Sequence, residues 1–216
     1  VNESVQEKRS PRVTRRRAET RQRLLEAAMD VFADEGFGRA SVEDVCAHAG
    51  YTRGAFYSNF ASLDELFLAM WQQQTDLLLN AAAQALDDAT AKPVTSLEDG
   101  IDRFVSVVAV DERWFRIQSE FNAHALRTPG LRAVVAEREA TIARLLLPFL
   151  DRALAHVGRR VVDRDTFAAA LVAVHDGTAA QVLVEPDTAL AQERRRNLFL
   201  AVVGAYTEKD EPHARA

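Results

Sequence analysis

Two glycines, Gly36 and Gly50, and two hydroxyl residues placed to cap helices, Ser41 and Thr52, divide residues 17–60 into three helices of unequal length. No other feature restricts the fold as much. The first helix is expected over about residues 17–35, where Leu24, Ala28, Val31 and Phe32 form one apolar stripe and Gly36 stands where a helix end favours φ > 0. Ser41-Val42-Glu43-Asp44 reads as the start of a second helix. The Ser41 hydroxyl can accept from the N–H three residues on, and Asp44 can reach back as a short-armed capping box. The apolar face of that helix, Val42, Val45 and Ala49, is brief, and Gly50 ends it. Thr52 can cap a third helix over residues 53–59, with Phe60 turning the chain back to the core. Only about two turns are available, so this helix cannot bury much of itself. Held by Phe56 and Phe60, it leaves Thr52, Arg53, Gly54, Tyr57, Ser58 and Asn59 to meet something outside. This is the layout of a helix-turn-helix, whose second element enters the DNA major groove.

An overall charge of −5 would argue against nucleic acid if the charge were spread evenly, and it is not. Residues 1–23 hold eight basic side chains against three acidic ones, which leaves −10 on the remainder. An electropositive arm ahead of a helix-turn-helix suits phosphates or a minor groove, because its side chains need only reach negative charge. Arg15, Arg16 and Arg17 are the expected contacts, with Lys8 and Arg9 behind them. The alternative is a solubilising tail.

The 48% apolar content of 216 residues is enough for a real core. The single cysteine, Cys46, excludes an internal disulfide; it suits a small buried position, and a redox switch there would need an exposed thiolate. No apolar run approaches a membrane span and the N-terminal region lacks the apolar block of a secretory signal, so a cytoplasmic chain with no membrane partner is expected. Sparse glycine and proline and the lack of β-type alternation predict an all-α fold.

After Phe60 a long helix is expected over residues 63–88, then a loop over 90–96 containing Pro93. Ser96-Leu97-Glu98-Asp99 opens the next helix, Asp111 another to about residue 127, and Thr128-Pro129 reads as an N-cap with proline in the first turn. The helix that follows, to about residue 157, contains Pro148 and should kink there. Asp163 or Asp165 opens a further helix and Asp187 the last, to about Tyr206. The expected total is nine helices: an arm (1–17), a DNA-binding head (18–62), a body (63–207) and a tail (208–216).

Residues 198–206 are apolar on every side, which a helix on a monomer surface does not tolerate. With the small residues Ala169, Ala173 and Ala180 on the preceding helix, they point to a homodimer interface of two helices from each subunit that includes Leu198, Val202 and Tyr206; a central helix in a monomeric bundle is the alternative. Polar residues also fall on apolar stripes: Gln118 among Trp114 and Phe121, and Thr178 below Phe167 and Leu171, with His175 at the edge. Each needs an internal hydrogen bond, a water or a ligand. With Trp71, Phe104 and Phe149 they form the expected wall of a pocket for a small hydrophobic or aromatic molecule. Glu120 and His124 lack a third ligand, and no catalytic constellation, metal set or cofactor motif is present, so neither an enzyme nor a cofactor is expected.

Ala49-Gly50-Tyr51-Thr52-Arg53-Gly54-Ala55-Phe56-Tyr57-Ser58-Asn59-Phe60, followed by Leu63-Asp64-Glu65-Leu66, resembles the signature of the TetR family of transcriptional regulators. The resemblance is specific over residues 20–68 and rests on length and helical pattern beyond them. It implies DNA contacts from Ser41, Tyr51, Thr52, Arg53, Gly54, Ala55, Tyr57, Ser58 and Asn59, with the Tyr57 hydroxyl on phosphate. Two departures stand out: Ala61 and Leu63 lie where a phosphate-binding lysine is common, and Tyr51 where a smaller apolar residue is usual. The resemblance further implies a homodimeric, ligand-responsive regulator, expected to be a repressor. Its two heads would occupy successive major grooves of a palindromic operator, and a small-molecule effector would release it. The opposing reading is a helical small-molecule carrier or enzyme with no specific DNA role.

Overall fold

A computed structural model describes residues 11–91 and 93–210. Lys8 and Arg9 of the expected arm, and the end of the expected tail, lie outside the described residues. Nine helices and two short strands are present among those described: α1 (Pro11–Glu35), α2 (Val42–Ala49), α3 (Arg53–Tyr57), α4 (Leu63–Ala91), α5 (Leu97–Val107), α6 (Glu112–Ala125), α7 (Leu131–His156), β1 (Arg159–Val161), α8 (Arg164–Val184), α9 (Thr188–Tyr206) and β2 (Thr207–Lys209). The chain divides into two compact units, residues 1–73 and 74–216. The division falls inside α4, later than the boundary at residue 62 read from the sequence, because Leu66, Phe67, Met70 and Trp71 are buried with the first unit.

In that first unit the helix ends follow the expected punctuation. Gly36 takes φ 85° and its N–H donates to the Phe32 carbonyl at 3.0 Å. Helix α1 begins at Pro11 rather than near Arg17; proline fits a first turn, where its missing N–H would have no intrahelical partner. An edge-to-face chain runs Phe32–Phe37–Phe67–Trp71 at 5.1, 5.8 and 5.8 Å between centroids. Each such pair adds about 0.5–1.5 kcal/mol beyond its buried area.

The second unit packs Ile101, Leu147, Phe167, Leu171, Phe199 and Val203 into one apolar core from α5, α7, α8 and α9. Asp111, Asp163 and Asp187 cap α6, α8 and α9 through their carboxylates. Thr128 is not the N-cap of α7: its hydroxyl turns back to the His124 carbonyl at 3.1 Å, and α7 starts two residues later behind Gly130 at φ 86°. Helix α7 runs past Pro148 to His156. Helix α8 is long and apolar enough to cross a membrane by length and composition, contrary to the sequence expectation; one side of it packs on α7 and α9 through Phe167, Ala168 and Leu171.

The all-α expectation misses one small feature. Strands β1 and β2 pair antiparallel, Arg159 opposite Lys209 and Val161 opposite Thr207, so residues 207–209 form a strand across the expected boundary between body and tail. Gly158 at φ 64° makes the turn into β1, and the Arg159 guanidinium donates to Thr207 Oγ1 at 2.7 Å. Strands of three residues are too short for alternation to be recognised in the sequence.

Candidate nucleic-acid interface and ligand cavity

The candidate interface is built from α2, the turn and α3. Ser41 Oγ accepts from the Asp44 N–H at 3.2 Å while the Asp44 carboxylate accepts from the Ser41 N–H at 2.9 Å, completing the capping box. The Ser41 hydroxyl and backbone bonds hold the Asp44 carboxyl below its usual range. Gly50 takes φ 72°, so the turn closes with its N–H on Ala47 O and the Tyr51 N–H on Cys46 O at 2.9 Å. Thr52 Oγ1 then accepts from the Ala55 N–H at 3.3 Å and opens α3. Cys46 is buried, and burial followed by the Glu43 charge pushes its thiol up, away from a reactive thiolate.

Helix α3 has five residues and depends on neighbours for its position. Phe56 and Phe60 are fully buried beneath it. From α1, Arg17 Nη2 donates to Ser58 O at 2.9 Å, Arg21 Nη1 donates to Asn59 O at 3.5 Å, and the Arg21 guanidinium lies 4.3 Å from the Phe60 ring centroid. These interactions clamp the end of α3 from one side.

On the opposite side Thr52, Arg53, Gly54, Tyr57 and Ser58 are exposed, while Tyr51 and Ala55 are half-buried. Arg53 Nη1 pairs with Glu43 Oε1 at 2.5 Å, and its guanidinium lies 5.8 Å from the Tyr57 ring centroid. A bond to Tyr57 and then the Glu43 charge raise the Arg53 pKa. Ser58 Oγ donates back to Gly54 O at 2.7 Å. Asn59 turns inward: Nδ2 donates to Ala55 O at 2.8 Å, and Oδ1 is buried without a partner. The sequence reading that places Asn59 on the outer face is therefore corrected. Arg15, Arg16 and Arg17 are all exposed, and Arg17, expected on DNA phosphate, also donates to Ser58 O. Glu43 and Arg21 were missed as functional partners because no helical spacing links either to α3.

The second unit holds a cavity of about 90 Å³ between α4, α5, α7, α8 and α9, with Ala85, Ile101, Phe104, Leu146, Phe149 and Leu171 among its walls. Phe104, Phe149 and Leu171 were expected there. Trp71 instead stacks edge-on to Phe67 in the first unit. On α6, Trp114 and Gln118 are half-exposed, and Phe121 is buried beside His124 rather than at the cavity.

His175 and Thr178 serve a buried cation, not the cavity. Arg195 on α9 is 1% exposed and donates to Thr178 Oγ1 at 2.6 Å, His175 O at 3.1 Å, His175 Nδ1 at 2.9 Å and Val108 O at 2.8 Å. Its guanidinium lies 5.0 Å from the Phe199 ring centroid. A guanidinium only donates, so His175 Nδ1 is the acceptor and the ring proton sits on Nε2. Burial and then the Arg195 charge lower the His175 pKa to about 4. The sequence pattern marked these residues as needing partners without revealing that Arg195, seventeen residues beyond Thr178, supplies them.

Of the residues expected at a subunit interface, Ala169, Ala173 and Leu198 are exposed and Ala180 is half-buried. Val202 and Tyr206 instead turn toward the core of their own chain, with Tyr206 6.3 Å from Phe167 between ring centroids. The exposed face of α8 and α9 carries Ala169, Ala173, Gly177, Ala201, Gly204 and Ala205. A Cβ added at Gly177 or Gly204 would meet nothing within 4 Å.

A capped helix-turn-helix with an anchored, outward-facing α3 and a helical unit enclosing an apolar cavity are thus the two parts of this chain. Residues 24–70 match the bacterial regulatory proteins of the tetR family, and residues 93–208 match the BetI-type transcriptional repressor C-terminal region. The chain belongs to the TetR family of bacterial transcriptional regulators.

Among its relatives, the transcriptional activator FasR of Mycolicibacterium smegmatis is 32% identical over 101 residues, 47% of this chain and 46% of FasR. The chain thus spans about half the length of that relative. The nicotine-responsive transcriptional repressor HdnoR of Paenarthrobacter nicotinovorans is 25% identical over 194 residues, 88% of this chain and 94% of HdnoR. The solved structure of the multidrug binding protein EbrR complexed with imidazole has a TM-score of 0.58 and 28% identity, covering 91% of this chain and 93% of EbrR.

Proposed function

We propose that this chain is a homodimeric repressor, working in the cytoplasm where its DNA lies, that leaves a palindromic operator when a small apolar molecule enters the cavity of the second unit. The anchored α3 carries this reading. A five-residue helix clamped by Phe56, Phe60, Arg17 and Arg21, with Arg53 and Tyr57 outward, has the build of a groove-reading element. The small-residue face of α8 and α9 supports the homodimer, because glycine and alanine let helix backbones approach closely. Two heads would then read half-sites roughly 34–36 Å apart.

Repression is favoured over activation by two matches that span most of the second unit: the repressor C-terminal region and HdnoR. Helix α4 carries Leu66 and Phe67 of the first unit near its start and Ala82, Ala85 and Ala89 of the cavity wall further along. Release follows from a difference in ligand affinity between the two head arrangements. The test is retardation of a duplex taken from upstream of the chain's own reading frame. Retention of that duplex at a salt concentration that frees random DNA supports the proposal; equal retention of both overturns it.

A further inference from the structure

Two adjacent carboxylates open α2, and they do different things. Asp44 closes the capping box with Ser41. Glu43 takes no part in that box; it reaches across the turn to α3, where its Oε1 lies 2.5 Å from Arg53 Nη1. The contact spans the whole turn, so it forms only because the turn at Gly50 brings α3 beside α2. The two side chains are 55% and 61% exposed. An ion pair so exposed adds little to stability, since water screens it and two long side chains lose rotamer freedom. What it fixes is the state of Arg53. Glu43 matches the charge on one side, and on the other the guanidinium bonds Tyr57 and lies 5.8 Å from that ring's centroid.

On a surface that meets DNA this state has a consequence. A free arginine neutralises whichever phosphate lies nearest, releases a counterion and so favours any sequence. An arginine already matched by a carboxylate gains little there, and the carboxylate itself repels the phosphate. A guanine edge is different, because its O6 and N7 are uncharged acceptors read by direction rather than by net charge. The five N–H donors of a guanidinium are not exhausted by one carboxylate and one hydroxyl.

We infer that Glu43 is a specificity-determining residue of the DNA-reading surface: it positions Arg53 and cancels its charge, so that Arg53 serves a base edge rather than a phosphate. The inference rests on the reading of α3 as the groove-reading helix. It gives an acidic side chain a part in recognition, exerted by weakening the hold on the wrong DNA.

The test uses the full chain, the upstream duplex and a random duplex, with affinities read by fluorescence anisotropy across a salt series. Glu43→Gln leaves the Ser41 and Asp44 cap in place. It should tighten binding to random DNA and lower the ratio of upstream to random affinity by about fivefold or more. The plot of log K against log salt on random DNA should steepen by about 0.9 as Arg53 takes up a phosphate. Glu43→Asp, which keeps the charge beside α3, should hold the slope near that of the parent. In an Arg53→Ala background Glu43→Gln should leave the ratio unchanged. An unchanged ratio in the parent background overturns the inference, as does the same fall in both backgrounds. If the parent holds the two duplexes equally, the groove-reading role of α3 fails and this inference with it. If the parent discriminates and Glu43→Gln discriminates as well, only the role of Glu43 fails.

Discussion

Arg17 on α1 donates from Nη2 to the carbonyl oxygen of Ser58, 2.9 Å away and just past the end of α3. One turn along α1, Arg21 repeats the interaction at Asn59 O and covers the Phe60 ring. Helix α3 is too short to hold its own end, and these two cations satisfy carbonyls that its last turn leaves open. Basic residues at the start of a DNA-binding chain invite assignment to phosphate as a group; here the geometry divides them.

That division predicts two salt responses. Replacing Arg15 and Arg16 with alanine should flatten the plot of log K against log salt by about 0.9 for each phosphate that is no longer neutralised. Arg21→Met should weaken operator binding with the slope unchanged, because it loosens α3 while every phosphate keeps its cation. Fluorescence anisotropy across a salt series measures both. A slope reduced in Arg21→Met would place Arg21 on a phosphate.

Gly54 separates folding from recognition. A Cβ at this position would meet only Thr52 Oγ1, at an ordinary 3.7 Å, so nothing within the chain requires glycine there. Gly54→Ala should leave the melting temperature unchanged or raise it, since alanine is up to about 1 kcal/mol better than glycine in a helix. If DNA backbone approaches α3 at Gly54, the same variant should lose operator affinity. Full affinity together with normal folding would show that no such approach occurs.

Buried Arg195 and neutral His175 predict a pH effect of definite sign. His175 stays unprotonated in the folded chain down to about 4, against an ordinary 6.5. Between those values the unfolded chain binds more protons at this site, so its contribution to stability falls as pH drops from 6.5 toward 4. Asp176 works in the opposite direction. Desolvation and then the Glu139 charge raise its carboxyl to about 6 from 3.8, so the folded chain binds more protons between those values, but Asp176 is exposed and the gain as pH falls is the smaller of the two effects. His175→Gln, whose amide oxygen can still accept from Arg195, removes only the first effect. Urea unfolding should show the variant losing less stability than the parent from about pH 6.5 to about 4.5; parallel pH curves would contradict the assignment.

The exposed helix face makes a prediction about assembly. Ala173→Glu on α8 should give monomers that keep their melting temperature and lose operator binding, because each head alone reads a half-site. Tyr206→Glu should instead destabilise the chain itself, since Tyr206 packs against Phe167. Light scattering of the parent protein showing a stable monomer at micromolar concentration would remove the basis for both the dimer and the palindrome.

Local rules explain what the sequence revealed and what it hid. Ser41, Gly50, Thr52 and Asp187 act on backbone within a few residues of themselves, so the helices they start or end were legible. The walls of the cavity were legible only in part. An apolar stripe marks Phe121 or Phe104 as buried but does not say against what, and the two meet different surroundings. Arg195 was not legible at all: an arginine in Glu193-Arg194-Arg195-Arg196 reads as solvated, yet one of the three is fully buried and joins Val108, His175 and Thr178. Asn59 failed for a related reason, its amide turning inward at the end of a helix too short to fix which face it presents.

The central claim is that α3 reads base edges, and Arg53 tests it most directly. Its guanidinium is exposed, poised between Glu43 and Tyr57, with its fork available to exchange one partner for a guanine edge. The measurement is the affinity of Arg53→Ala, relative to the parent, for the operator and for random duplex at one fixed salt concentration. A loss of about 1–3 kcal/mol on the operator with little change on random DNA is the predicted result. An equal loss on both duplexes would make Arg53 a phosphate contact and contradict the account.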